Sequence, residues 1–486
     1  MSTLCAESVI DDVNRIGTDS ATVPCLIEGG FLYTGDAQRP YISNSWILVQ
    51  DDRIVDFGDC EQGVPELEHI QVDAHGQMVL PGLVNPHWHE SFVAPNFDQP
   101  DDSGLQLEPY AQGGDITALS AMFGFIAGIG DRLSEQEALA IARWSLWTQL
   151  RSGTTALGDV GSVNRPGAIA RAAIELGMRI RVSRWGSDIM IPEQGDDYRS
   201  IADTDRQIED WQNLMDDWHD HASGLVDVMP SVVGAFGGSD RLLSAMAELS
   251  ARYQTPCAAH LAPLPNEAAA LQRVFGETAI ERFDRLGLLN ERLIAVHTAY
   301  CDDEEFERLV ESGVKLCFSP AHYGLSGEAT LFETDRVVRW LQRGLPLACS
   351  SDGDVAYIGG MPEAMRAMYL GIAQAANDNR LCPPGRTLLT ATQYAADALG
   401  WGERIGSVRI GKQADLVFID MDDWRYRHCS HPLKMFLIAG SSRDVDSVMI
   451  AGRFRIRHGR AVDVDERQLF LDFQDAAQAA RARIAP

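Results

Sequence analysis

Between about residues 80 and 404 the chain alternates short apolar runs with helical patterns, a rhythm that restricts it to α/β architectures with parallel strands. Eight runs carry it: MVLPGLVNPHWH, GTTALGDV, MRIRVS, LVDVMPSVV, TPCAAH, LIAVH, VKLCFS and LPLACSSD. They end near His89, Val160, Ser183, Val233, His260, His297, Ser319 and Asp352. Helix signals fall between them. Ser134 and Glu137 form an S-x-x-E capping box, and Asp302 opens a charged first turn that runs into an apolar face. Eight strands with intervening helices fit a closed (β/α)8 TIM barrel. An open doubly wound sheet is the alternative at this level of pattern.

The two flanks of this region look alike. CLIEGGFLYTG, SWILVQDDRIVDFGD and HIQVDAHGQMVL alternate apolar and polar residues and break at Gly, Asp and Asn. SVRIGKQADLVFIDM and DSVMIAGRFRIRHGR repeat that strand–turn–strand style near the other end. The expected layout is an N-terminal tail over 1–22, one composite β-sandwich from 23–79 and 405–462, a barrel over 80–404, and an amphipathic C-terminal helix over 463–486.

Composition narrows the partners. The formal net charge of −29 argues against nucleic acid and against anionic membranes, which select positive surfaces. No apolar run approaches the ~18 residues of a membrane span, and the N-terminus lacks the basic-then-apolar pattern of a secretory leader. Nine scattered cysteines without CxxC spacing, among them Cys257, Cys317 and Cys349 in apolar runs, read as buried thiols of a reducing compartment. A cytoplasmic location and a small-molecule substrate are the expectation.

His87-Trp88-His89 closes the first run. Residues i and i+2 of a strand share one side, so both imidazoles can reach one ion. The chain holds a second such pair, His219 and His221, but in an acidic stretch before a strand rather than at a strand end, and it reads as a surface pair. Four runs end in metal-type ligands: the first in the histidine pair, the fifth in His260, the sixth in His297 and the eighth in Asp352. Barrel sites gather at C-terminal strand ends, so residues distant in sequence would converge there. Nitrogen ligands with one carboxylate suit Zn²⁺, Fe²⁺, Mn²⁺ or Co²⁺. Trp88, Phe92, Trp185, Tyr300 and Tyr323 lie near these ends and are candidates to line a pocket for a flat ligand.

PGLVNPHWHE resembles the PGLVNxHxH signature of the amidohydrolase superfamily, in the branch of cytosine and guanine deaminases, S-adenosylhomocysteine deaminases and triazine chlorohydrolases. CAAHLA, AVHTAYCDDEEFERL, SSDGD and IGSVRIGKQADLVFID match later family motifs in order, from about residue 25 to about 460. The resemblance implies a barrel with a composite β-sandwich and one divalent metal, zinc first, bound by His87, His89, His260 and Asp352. It implies that His297 polarises the substrate or assists proton transfer and that Asp352 moves a proton. It also implies a homodimer.

Two departures stand out. LVDVMPSVVGAFGG has no lysine, which argues against the two-metal site that a carboxylated lysine bridges. Relatives in this branch carry HxxE after the fifth strand, whereas HLAPLPNE has Pro263 at the Glu position. Proline cannot shuttle a proton, so Glu267 and His322 become the candidate acids. The expected function is hydrolysis of a non-peptide C–N bond by metal-activated water, as deamination of a heterocyclic amine or as amide or urea cleavage. Hydrolytic dechlorination of a heteroaromatic ring and a non-catalytic scaffold are the alternatives.

Overall fold

The segment CLIEGGFLY forms strand Cys25–Tyr33, which pairs antiparallel with Tyr41–Gln50 and parallel with Ile70–Asp73 and Gln77–Pro81. These strands come from the computed structural model, which describes residues 23–36, 38–90, 114–126, 130–161, 165–326, 331–353, 360–428 and 430–484. Both ends of the chain enter one nine-stranded sheet. Its seam is the antiparallel pair Leu416–Asp420 and Gln77–Pro81, with Leu416 opposite Pro81 and Asp420 opposite Gln77. Ile27, Ile47 and Val79 from one end and Leu416, Phe418 and Phe454 from the other share its hydrophobic core.

Parallel strands follow. They are β1 (Leu83–His89), β2 (Thr154–Asp159), β3 (Arg179–Val182, continued by Trp185–Gly186), β4 (Val226–Val228, continued by Ser231–Val232), β5 (Cys257–Leu261), β6 (Leu293–His297), β7 (Lys315–Phe318) and β8 (Ala348–Cys349, continued by Asp352–Gly353). They form two sheets. The first halves of β4 and β3, then β2, β1 and the second half of β8, make a five-stranded one. The first half of β8, then β7, β6, β5 and the second halves of β4 and β3, make a six-stranded one. The three interrupted strands therefore each contribute to both sheets. In β4 the interruption contains Pro230, which has no N–H to donate to a ladder.

Helices pack outside the strands. Glu135–Arg151 starts at a capping box in which the Ser134 hydroxyl accepts from the Glu137 amide while the Glu137 carboxylate accepts from Ser134. Its Ala138, Ile141, Ala142, Leu146 and Leu150 recur at helical spacing and are buried. Asp303–Ser312 has the same kind of cap, formed by Asp302 and Glu305, and stops at Gly313 in the left-handed conformation. Glu466–Ile484 closes the described chain as a helix against Glu135–Arg151.

A separate apolar cluster draws Val84, Ala156, Ala258, Ile294, Val296, Cys317 and Ala348 from β1, β2, β5, β6, β7 and β8. Ala395, Ala398 and Leu399 from the helix Gln393–Ala398 and its C-cap join it. Against this interior the first strand changes phase. Val84 joins the inner cluster, Leu83 and Trp88 join the outer core, and the pairing with β2 is irregular between Asn85 and Trp88. Pro86 lies in that irregular stretch. The change of phase leaves Asn85 beside Gln149 of the covering helix and turns His87 and His89 to the other side.

The end sheet is tied to the parallel strands by a buried ion pair. Arg179, at the start of β3, donates from Nε to Asp415 Oδ2 at 2.7 Å and from Nη2 to Oδ1 at 3.1 Å. Asp415 also accepts from the amides of Ala451 and Gly82. Removing one partner leaves the other charge buried and uncompensated. Asp415→Ala is therefore expected to cost about 3–5 kcal/mol in a urea unfolding titration. A loss below ~1 kcal/mol, the range of an exposed pair, would show that the pair does not hold the seam.

Candidate metal centre

The C-terminal ends of β1, β5, β6 and β8 bring His87, His89, His260, His297 and Asp352 together. All five are buried. Asp352 is the hub: its Oδ2 lies 3.4 Å from His87 Nε2 and 3.5 Å from His297 Nε2, and its Oδ1 lies 3.8 Å from His89 Nε2. The His260 ring centroid is 5.2 Å from that of His87 and 5.1 Å from that of His297. Ligand atoms of His87, His260 and His297, and likewise of His87, His89 and Asp352, lie within 4.8 Å of one another.

Backbone carbonyls select the tautomers. His89 Nδ1 is 3.1 Å from Gly161 O, and His260 Nδ1 is 2.7 Å from Val233 O. A carbonyl can only accept, so each Nδ1 carries the proton and each Nε2 keeps its lone pair for an ion. His297 differs: its Nδ1 is 2.8 Å from the Tyr323 hydroxyl, which also accepts from the Ser319 amide at 3.1 Å.

The strand ends are bent to achieve this. His297 has φ +74° and Asp352 φ +61°, and the adjacent Ala262 and Thr298 also sit at positive φ. Such conformations cost non-glycine residues about 1–3 kcal/mol each and persist where the surroundings over-determine them. Gly353 N–H donates to Asp352 Oδ1 at 2.6 Å, which helps to fix the carboxylate.

The electrostatics suit a cation. Burial and the neighbouring His87 push His260 down to about 3. His89 falls well below its usual range through burial and His87, and His297 through burial despite Asp352. Burial alone would raise Asp352, but His322, His87 and His297 outweigh it and hold the carboxyl well below the ordinary range. Burial thus favours neutral imidazoles at His89, His260 and His297 beside an ionised carboxylate. His87 Nε2 and Asp352 Oδ2 are buried without a hydrogen-bond partner, facing each other across 3.4 Å. Two lone-pair donors in that position fit a divalent ion between them.

Aromatic rings enclose the cluster. Trp185 lies 4.7 Å from His89 and 5.6 Å from His260, and Phe123 stacks near His260 at 5.5 Å. Phe236 adjoins Phe123 at 6.2 Å. Trp88 points into the outer core instead, as strand alternation requires. Tyr300 is half-buried and donates to Glu333, and Phe92 lies outside the described residues. Phe123 was not singled out from the sequence, since nothing in the apolar helix Ile116–Ile126 marks it.

His322 is buried on the short helix Pro320–Ser326, and its charge acts on Asp352, His260 and His297. Glu267 opens the helix Glu267–Phe275, fully buried. Burial pushes it up to about 8, the Ala262 amide opposes this, and the charge of Glu305 adds to it. His219 caps a helix and pairs with Asp227 at 2.7 Å, at the opposite end of β4 from the site. Asp159, at the end of β2, was also missed. It accepts from the Gly161 amide at 2.9 Å, and burial pushes it up to about 7.

Buried imidazoles and a carboxylate at parallel-strand ends define a metal-dependent hydrolase in which an ion activates water. The family model described as the amidohydrolase family matches residues 78–455, and the chain belongs to that family. It acts on non-peptide C–N bonds of small molecules. The 5-methylthioadenosine/S-adenosylhomocysteine deaminase of Desulforamulus reducens is 22% identical over 456 residues, 93% of this chain and 98% of that protein. Among solved structures, an adenosine deaminase from Xanthomonas campestris with bound zinc superposes with TM-score 0.81 at 22% identity, covering 94% of this chain and 98% of that one. The atrazine chlorohydrolase from Arthrobacter aurescens, complexed with zinc, gives TM-score 0.81 at 19% identity, covering 93% and 100%.

The purified protein is expected to carry about one divalent ion per chain by elemental analysis, and His260→Ala to lose it. Full activity after exhaustive chelation, with no ion detected, would refute the centre. Glu267 gives a pH signature. Its folded pKa is raised, so the folded state binds the proton more tightly than the unfolded one. Its contribution to stability is fully present below pH ~4.5 and is lost as pH rises toward about 8. Glu267→Gln should therefore gain on the wild type across pH 5–8, with a slope approaching about 1.4 kcal/mol per pH unit. Parallel stability curves for the two proteins would contradict the shift.

Proposed function

We propose that the two parallel sheets are halves of one closed (β/α)8 barrel, and that its site hydrolyses an amino group from a flat heterocycle, with zinc as the ion and iron, manganese or cobalt as alternatives. The observation that carries this reading is the convergence of His87, His89 and His297 on the Asp352 carboxylate, with His260 beside them and two buried ligand atoms facing each other unpartnered. His87, His89, His260 and Asp352 would hold the ion. A divalent ion bound there supplies hydroxide at neutral pH by lowering the pKa of water to about 7.

The chain's own residues handle the protons. Asp352 takes one proton from the attacking water and returns it to the departing nitrogen. We assign the Tyr323 hydroxyl hydrogen to His297 Nδ1, the same oxygen accepting from the Ser319 amide. That tautomer keeps a proton on His297 Nε2, aimed at the reacting atom as a hydrogen-bond donor. His322, whose charge acts on Asp352, His260 and His297, is the first candidate for the acid missing at Pro263, protonating the ring as its carbon becomes tetrahedral. Glu267 is the second candidate for that acid. Balance is simple: water adds to the ring carbon, the C–N bond breaks, and ammonia or an amine leaves. Trp185 and Phe123 supply apolar walls that favour a planar substrate.

Pro263 itself favours a second reading. An amide- or urea-like carbon needs no ring proton, because His297 can stabilise the developing oxyanion. The composite β-sandwich division of the chain, a cytoplasmic location and a homodimer belong to the same proposal. Among the described residues no helix is long and apolar enough to cross a membrane.

A panel of aminated purines, pyrimidines and triazines, acyclic ureas and amides, and chlorinated triazines tests the reading by what is released. Ammonia or amine from the heterocycles is expected. His322→Gln should lower kcat by about 10²–10⁴ on ring substrates and much less on ureas. Chloride release, or urea cleavage alone, would replace the main reading. Equal loss in Glu267→Gln and none in His322→Gln would reassign the acid.

A further inference from the structure

Asn85 is fully buried, yet it touches none of the five site side chains through a hydrogen bond. It lies on the outer side of β1, where the strand changes phase before His87. Its amide reaches across to β8 and grips a single residue, Ser351, twice. Nδ2 donates to Ser351 Oγ at 2.7 Å, and Oδ1 accepts from the Ser351 amide at 3.2 Å. Ser351 Oγ in turn donates to the carbonyl of Asp352 at 3.2 Å. The next residue along is therefore the strained one, Asp352 at φ +61°. Backbone pairing places Asp352 opposite Trp88 and Gly353 opposite His89, so β1 and β8 meet at the ligands themselves.

An apolar side chain of similar size would fill this space without the cost of burying an amide. The position instead holds a group that donates and accepts at once. Aspartate would offer no donor, and leucine neither donor nor acceptor. Gln149 of the covering helix lies 3.4 Å from Nδ2, a third and longer contact.

We propose that Asn85 is a positioning residue of the metal centre: its two-point grip on Ser351 holds Asp352 in its left-handed conformation, in register with His87 and His89. The inference rests on the metal reading above. It assigns to β1 a third task besides carrying two ligands, namely setting the carboxylate that comes from the last strand.

The test uses the full chain, with Zn²⁺ affinity measured by chelator competition and ligand geometry by the visible spectrum of the Co²⁺-substituted protein. Asn85→Leu is expected to weaken Zn²⁺ at least tenfold and to change the Co²⁺ bands. Ser351→Ala, which keeps the amide but loses the hydroxyl, should give a smaller loss of about threefold or more and a shift of the same bands. Gln149→Met, on the same buried contact, should lower the melting temperature and leave affinity within twofold. Folded Asn85→Leu with wild-type affinity and spectrum overturns the proposal. If Asn85→Leu does not fold, an unaltered spectrum in Ser351→Ala overturns it equally. Failure of the wild type to bind any divalent ion sinks the metal reading instead, and is distinguished by that.

Discussion

Everything at the mouth of the strands answers to one carboxylate. Asp352 lies within 3.8 Å of three imidazoles while nearly excluded from water. A buried carboxylate is expensive unless charge or hydrogen bonds compensate it. Burial lowers the proton affinity of His89, His260 and His297. The imidazoles of His322, His87 and His297 keep the carboxyl ionised, and a divalent ion is the group that these donors fit. The carbonyls of Gly161 and Val233 prepare for it by fixing which nitrogen of His89 and His260 is left bare.

Holding that arrangement requires irregular backbone. Three of the eight strand positions are interrupted, His297 and Asp352 adopt positive φ, and β1 changes phase near Pro86. A regular strand would present every second residue to one side for its whole length. Here Asn85 and His87 are two apart yet serve opposite sides. The irregularities gather at the C-terminal ends, while the starts of the strands carry an ordinary apolar cluster capped by Ala395, Ala398 and Leu399. Strain is thus placed where a ligand can exploit it and kept away from the packing that supports it.

Much of this is legible in the sequence itself, and the reasons are local. Alternation of apolar runs with helical patterns marks the parallel strands, because helix and strand periods differ. His89, His260, His297 and Asp352 stand out in the sequence because each closes an apolar run. What escaped notice depends on tertiary neighbours. Asn85 reads as one more polar residue in a motif, and its partner Ser351 lies 266 positions away. Phe123 sits in a helix apolar all round, so periodicity gives it no direction. Trp88 was expected near the pocket from its place between two ligands, but alternation sends it to the outer core. Glu267 follows His260 closely in sequence, yet the charge that acts on it is that of Glu305 on another helix.

The two chain ends complete the division of labour. Arg179 starts β3 and so belongs to the end of the strands opposite the metal ligands, and its partner Asp415 directly precedes Leu416–Asp420 of the nine-stranded sheet. The Asp415 carbonyl accepts from Gly82, immediately before β1. The sheet is thereby fastened to the entry points of β1 and β3, away from the C-terminal ends where the histidine cluster lies. Parallel strands secured at their starts can change loops and side chains at the opposite face without losing the fold. That separation lets Pro263 follow the end of β5 while the five buried side chains stay assembled.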